Sequence, residues 1–472
     1  MNRIVPLILA VALFMEQMDS TVIATALPAI ANDLGVGPIT LKLALTSYMV
    51  ALAVFIPVSG WMADKFGAKT IFRAAILVFV GGSIFCAISS SVLQFVLARF
   101  LQGMGGAMMT PVGRLVLLRT TERKDLVSAM AMLTIPALVG PLTGPPIGGF
   151  ITTYFTWHWI FLINVPVGLL GIWLSSIYLP EIEKRPAPPI DMLGFLLISL
   201  AAAGTVFGLS VVSLPALPPI VGIAATAVGL ICGALYVRHA GRHPAPMMRL
   251  SLFRNTAFRT AILGGTAFRI STGAIPFLMP LMLQLAFGMT PFQSGLTTFS
   301  GALGALCVKF VAKRVFAATG FRTALIGAGL AGAAMTAVNG FFTASTPPML
   351  ITFFLFAAGL ARSLFFTGTN ALSYSEIDDS DASQATSISS VVQQISLALG
   401  VAFAAFVLEA SSYISGSHLQ LADFHLAFFL VAGISLLSIT PLLKLDASTG
   451  ASVSGHRRFA QAAEPQPATA GE

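Results

Sequence analysis

The stretch GWMADKFGAK, Gly60 to Lys69, separates two long apolar runs, near residues 41–63 and 71–90. An α-helix rises about 1.5 Å per residue, so about 20 apolar residues cross about 30 Å of hydrocarbon. By that measure each flank is a membrane span, and the polar stretch is the turn between them. Gly, Asp, a basic residue and a second Gly permit a tight reversal. Asp64 there either caps a helix N-terminus or pairs with neighbouring bases.

Working outward, the same unit recurs along the chain and predicts fourteen spans. The first six run near 4–30, 41–63, 71–90, 92–118, 126–154 and 158–179. A middle pair runs near 191–213 and 217–238, and six more run near 257–286, 291–316, 321–343, 347–373, 385–413 and 424–445. The composition agrees: of 472 residues, 56% are hydrophobic and only 9% are charged, too few charges for a water-soluble chain of this length. Three scattered cysteines and six histidines make neither a disulfide framework nor a metal site. The net charge of +8 lies in short loops between apolar runs, which argues for topology and against a nucleic-acid partner.

Those loop charges alternate. Lys65 and Lys69, then Arg119, Arg123 and Lys124, then Lys184 and Arg185 fall in even-numbered loops, as do Arg238, Arg242, Arg249 and Arg254, and Lys313, Arg314 and Arg322. Odd-numbered loops hold almost none, Lys42 being the exception. The positive-inside rule therefore expects the even loops and both termini in the cytoplasm, in a plasma (inner) membrane. The N-terminal run continues past Asp19 without a cleavage site and is read as a retained span. The expected organisation is an N-terminal bundle over 1–180, a linker with two extra spans over 181–250, a second bundle over 251–445 and a disordered cytoplasmic tail over 446–472.

Charges inside the spans mark candidate sites. Glu16 and Asp19 lie three residues apart on one face of the first span, roughly 18 and 22 Å from its start. Arg99 in the fourth span falls in the same layer, roughly 10 Å below the far surface. An ionisable group at that depth costs at least about 2.5–3.5 kcal/mol on insertion scales, so it is paired or faces water. One reading is an ion pair that locks two helices. The other, which neighbouring carboxylates favour, is a group that gains and loses a proton. Arg269 and Arg362 also fall near mid-membrane, either binding an anionic group, balancing the acids or pairing helices; Gln102 is a further cavity candidate. Lys309 and Arg114 are expected to snorkel, and Glu409 to sit wet at the outer end of its span.

Several motifs resemble one family. The loop matches the signature loop of the major facilitator superfamily at Gly60, Ala63, Asp64, Lys65, Gly67 and Lys69, and departs from it at Met62 and Ala68. GPLTGPPIGGF (140–150) is similar to the antiporter signature of its drug:proton exchangers, at Gly140, Gly144, Pro145, Gly148 and Gly149. MDSTVIATALP (18–28), RFLQGMGGAMM (99–109), WHWIFLINVPVG (157–168) and LFRNTAF (252–258) resemble segments of the fourteen-helix, EmrB/QacA-like drug:proton antiporters. Ala24 stands where that family has Asn, and Glu16 is not part of its motif.

The resemblance implies an all-α polytopic membrane protein of the major facilitator fold, with two six-helix bundles, two inserted helices and a cavity between the bundles. It implies proton-coupled export of lipophilic compounds, no enzymatic activity, and no cofactor or metal beyond the proton gradient. Asp19, Glu16 and Arg99 would then couple protons, the Gly60–Lys69 loop would act as a cytoplasmic latch, and the Gly/Pro segment would shape a bend. The partners are the bilayer, a small-molecule substrate and protons, with accessory efflux proteins left open. Export of one endogenous metabolite or siderophore, and a non-transporting sensor or scaffold, are the alternative functions.

Overall fold

The computed structural model describes residues 4–120, 126–181, 190–212, 217–377, 381–415 and 419–450. Arg123, Lys124, Lys184, Arg185 and the tail beyond 450 lie outside them. Among the described residues the chain is helical, with no strand.

The long helices, in chain order, are α1 (Ile4–Asp33), α2 (Lys42–Phe66), α3 (Ala68–Ala87), α4 (Val92–Thr120), α5 (Leu126–Tyr154) and α6 (Trp159–Tyr178). Then come α7 (Met192–Val211), α8 (Pro219–Ala240), α9 (Thr256–Leu281), α10 (Pro291–Cys307), α11 (Ala312–Asn339), α12 (Pro348–Tyr374), α13 (Ala382–Ser415) and α14 (Leu421–Leu443). Among the described residues, twelve segments are long and apolar enough to cross a membrane.

Local chemistry sets the boundaries. Asp191 caps α7 by accepting from Gly194 N, Asn255 caps α9 by accepting from Phe258 N, and Thr290 and Gln293 form a reciprocal capping box at α10. Gly67, at φ 97°, makes the reversal between α2 and α3, a backbone angle that a side chain disfavours. Two expectations change. The tenth span stops at Cys307 instead of 316, and α11 starts at Ala312 and breaks at Gly320 (φ 74°). The tail, expected to be disordered from 446, first makes a turn in which Asp446 accepts from Ser448 N and Gly450 is buried against Phe321.

Helices α1 to α6 pack largely among themselves, α1 on α5 and α4 on both α2 and α3; likewise α9 packs on α13 and α12 on both α10 and α11. The two groups meet through α5 on α10 and α2 on α13. The α7–α8 pair leans on α2 and α13 and turns Leu196, Leu200, Ile223, Leu230 and Ile231 outward, an apolar face suited to lipid.

The apolar core differs at the two ends. At the end away from the 60–69 turn, one continuous cluster joins Val22, Leu27 and Ile30 of α1 and Phe161 of α6 to Phe277, Leu278 and Leu281 of α9, Leu355 of α12 and Leu408 of α13. At the turn's end the two larger cores are separate. One holds Leu9, Leu13, Phe72, Phe79 and Val112, and the other Phe316, Phe321, Leu325 and Phe365. A smaller cluster through Ile198 of α7 joins Ala53 of α2 to Ile262 of α9 and Val391 of α13.

Candidate functional site

Asp19 is fully buried, and α4 and α6 supply its partners. Its Oδ2 accepts from Arg99 Nη1 at 2.7 Å. Its Oδ1 accepts from Gln102 Nε2 at 2.8 Å and from Asn164 Nδ2 at 2.7 Å. Ser83 of α3 closes the cluster by accepting from Gln102 and Asn164. Arg99 also donates to Gln102 Oε1, and its guanidinium lies 4.3 Å from the centre of the Tyr48 ring. Glycines let the helices come this close. A Cβ on Gly82 would lie 2.6 Å from the Gln102 backbone, and one on Gly103 would lie 2.6 Å from Tyr48 O.

Glu16 stands apart from that cluster. Its Oε2 accepts from Thr110 Oγ1 at 2.9 Å and from Gln17 Nε2 at 3.0 Å, and no described cation makes an ion pair with it. It lines a central cavity of about 610 Å³, as do Arg99, Tyr48, Phe268 and Arg362. The two acids thus have different surroundings. Asp19 is neutralised behind the wall, and Glu16 faces the space.

The other cavity candidates divide in the same way. Arg362 is on the lining, without a hydrogen bond or ion pair to any described residue. Gln102 is absent from the lining, since it is spent on Asp19, Ser83 and Arg99. Arg269 is also absent from the lining. It is buried between α9 and α12, donates to Asn370 at 3.2 Å and lies 5.8 Å from the Phe366 ring centre, with Nε and Nη1 unpartnered.

The turn residues lie on continuous helix up to Phe66. Asp64, on the last turn of α2, accepts from Arg119 of α4, so it pairs with a base and does not cap an N-terminus. Lys65 lies 4.6 Å over Trp61, and Lys69 meets Glu181 at 3.3 Å. Gly60 is exposed, with nothing near the place a Cβ would take.

The α5 glycines face two ways. A Cβ would lie 2.9 Å from Met18 N at Gly140, 2.0 Å from Thr21 Oγ1 at Gly144 and 2.4 Å from Val22 O at Gly148, all on α1. At Gly149 it would lie 2.4 Å from Pro291 O of α10. Pro145 lines the cavity, and its carbonyl lies 2.3 Å from the Cβ position of Gly295.

Sequence reading missed three groups: Asn164, Tyr48 and the ion pair of Lys42 with Glu409. Glu409 is only 12% exposed and accepts from the fully buried Lys42 at 2.6 Å, so it is not wet as expected. Lys309 is exposed and donates to Thr367, and Arg114 is exposed. Asn164 could have been found, since it is a rare amide inside an apolar run.

A helical membrane protein that buries an ion pair beside a central cavity has the makings of a solute carrier, and the comparisons narrow the class. The profile of the Major Facilitator Superfamily matches residues 9–254 and 261–469. "Putative multidrug resistance protein MdtD" of Escherichia coli is 36% identical over 403 residues, covering 85% of each chain. The protein of the same name from Shigella boydii matches at the same 36% over 403 residues, again 85% of each chain. Among solved structures, a D-xylose-proton symporter superposes with a TM-score of 0.69 at 14% identity, covering 95% of this chain and 98% of that one. The chain belongs to the Major Facilitator Superfamily, a family of membrane transporters and not of enzymes.

Proposed function

We propose that this protein is a secondary-active exporter in which protons entering down their gradient drive lipophilic compounds out. The observation that carries this reading is the division of labour between two acids on one helix face. Asp19 is held by Arg99, Gln102 and Asn164, while Glu16 meets only neutral donors and opens on the cavity. A carboxylate with cavity access and no fixed cation can exchange a proton for a ligand, whereas protonating Asp19 would break an ion pair. Glu16 is the loading site in this scheme, and the Asp19–Arg99 pair sets the field around it. The name of the MdtD relatives, multidrug resistance protein, supports drug export as the direction.

The arrangement that goes with this function is fourteen spans. Two six-helix bundles, over 1–180 and 251–445, rock about α5–α10 and α2–α13, and the 181–250 pair is appended. Both termini lie in the cytoplasm of a plasma (inner) membrane, on the side of Asp64 and Arg119. The loop charges support that orientation.

The test is reconstitution in proteoliposomes, with an imposed proton gradient and a lipophilic dye. Wild-type protein should accumulate dye against its gradient, a protonophore should collapse that accumulation, and Glu16→Gln should lack it. Accumulation that survives the protonophore would exclude proton coupling.

A further inference from the structure

Three charged side chains line the cavity: Glu16, Arg99 and Arg362. Arg99 is neutralised by Asp19 at 2.7 Å. Glu16 and Arg362 make no ion pair with any described residue, and none with each other. They stand on opposite groups of helices, Glu16 on α1 and Arg362 on α12. Each is twelve residues from its helix end on the side of the 60–69 turn, from Ile4 and to Tyr374 respectively. At about 1.5 Å per residue both lie roughly 18 Å in, so they share one layer. Between them the wall is mostly apolar, with Leu52, Phe268, Ile275, Phe277 and Met279. The small Gly301 leaves room for the guanidinium, whose Nη2 lies 3.8 Å from that glycine's Cβ position.

We propose that the ligand of this cavity is a zwitterionic amphiphile, whose basic nitrogen meets Glu16 and whose carboxylate or sulfonate meets Arg362, with an apolar body between. The proposal rests on the exporter reading for its cavity and its coupling acid, and adds the class of substrate. In a low-dielectric space an unpaired guanidinium is costly, and so is an unpaired carboxylate unless it holds a proton. A ligand with one charge relieves one of them; a ligand with both relieves both, which sets specificity by charge pattern with loose apolar packing. The guanidinium fork suits a carboxylate bidentately. The ligand's ammonium takes the place of the Glu16 proton, which leaves to solvent, so binding of a basic group and protonation compete. The ionisable groups near Glu16 are Asp19 on its own helix, Tyr48 on α2, and Arg99 and Arg114 on α4. Helices α5 and α6 bring no Asp, Glu, Lys, Arg or His.

The test measures binding to the detergent-solubilised full chain, without any gradient. The probes are an ω-amino fatty acid of about ten carbons, its methyl ester and its N-acetyl derivative. The zwitterion should bind wild-type protein about tenfold or more tighter than either derivative, the scale of one charge-assisted hydrogen bond. Arg362→Gln should erase its advantage over the ester, by weakening the zwitterion. Glu16→Gln should erase its advantage over the N-acetyl compound. Proton release into weak buffer should accompany the zwitterion and the ester, not the N-acetyl derivative. Arg362→Lys keeps the charge and should keep the zwitterion preference, which separates ligand contact from helix packing.

Equal affinities for the three probes on wild-type protein would overturn the proposal, as would binding of none, and neither result depends on a variant folding. A clear zwitterion preference in a protein that fails the protonophore test would retain the ligand class and sink proton coupling instead.

Discussion

Replacing Asp19 by Asn separates a helix lock from a coupling element. The asparagine oxygen can keep the bonds that Oδ1 accepts from Gln102 and Asn164, at 2.8 and 2.7 Å. Its amide nitrogen then occupies the place of Oδ2, facing Arg99 Nη1, so that donor meets donor. Arg99 is 1% exposed and its Nε already has no partner, which leaves Gln102 Oε1 and the rings of Tyr48 and Phe161 as its support among the described residues. Stranding a buried charge in this way costs about 3–5 kcal/mol. Removing the stranded charge as well, in Asp19→Asn with Arg99→Gln, should recover most of that loss and leave the double variant within about 2 kcal/mol of wild type. Equilibrium unfolding in mixed micelles, followed by far-ultraviolet circular dichroism, measures the three variants on one scale. Proteoliposome flux then asks the functional question. Both single variants and the double variant should lack proton-driven dye accumulation. A double variant no more stable than Asp19→Asn would refute the stranded-charge argument. A double variant that transports normally would reduce the pair to a lock between α1 and α4.

The glycine contacts on α5 make a paired prediction. Gly148→Ala places a methyl 2.4 Å from Val22 O and should cost about 1–3 kcal/mol in the same unfolding assay. Gly60→Ala, mid-helix with open space around it, should instead gain about 0.5–1 kcal/mol. A loss at Gly60 would show that its surroundings are not open. At the far end, Glu409→Gln breaks the pair with Lys42. It should widen the distance between spin labels on the neighbouring ends of α2 and α13, read by double electron–electron resonance; an unchanged distance distribution would show that this ion pair does not hold those ends together.

How much of this was legible in the letters depended on charge and on distance along the chain. Membrane helices were legible because about twenty apolar residues have few other uses, and the start of α5 at 126 coincided with its expected span. The common depth of Asp19 and Arg99 followed from counting residues, since helix rise is fixed. Their different fates did not. Whether Glu16 or Asp19 takes the guanidinium depends on side-chain direction and on Gly82 and Gly103 letting α3 and α2 reach α4, which is packing information. Lys42 and Glu409 lie 367 residues apart, and each reads alone as an end-of-helix charge. A shared local geometry was hidden for a similar reason. Gly67 and Gly320 both take positive φ just before a long helical stretch, yet GWMADKFGAK and the residues before Gly320 share few letters. Backbone geometry carries the likeness there, and many side chains satisfy it.

The two ends of the molecule carry unequal loads, and that inequality bears on how the cycle can turn. Away from the 60–69 turn, separation of the helix groups requires splitting one continuous apolar cluster. It also requires parting Gly149 from Pro291 and Gly295 from Pro145, and breaking Lys42 from Glu409. At the other end the larger cores are separate and only a smaller cluster, Ala53 of α2 with Ile198 of α7, Ile262 of α9 and Val391 of α13, joins the groups, while Asp64 with Arg119 ties α2 to α4 within one group, not across the two. Burial at about 25 cal/mol per Å² favours this sealed arrangement unless something offsets it. The opposed charges of Glu16 and Arg362 are placed to do so, because they sit in the layer that both helix groups share and their cost changes with occupancy. On the exporter scheme proposed above, a proton on Glu16 or a ligand across the two alters that cost without touching the seal. Coupling between the cavity and the distant end then needs no wire between them, only one equilibrium between two packings that both the proton and the ligand bias.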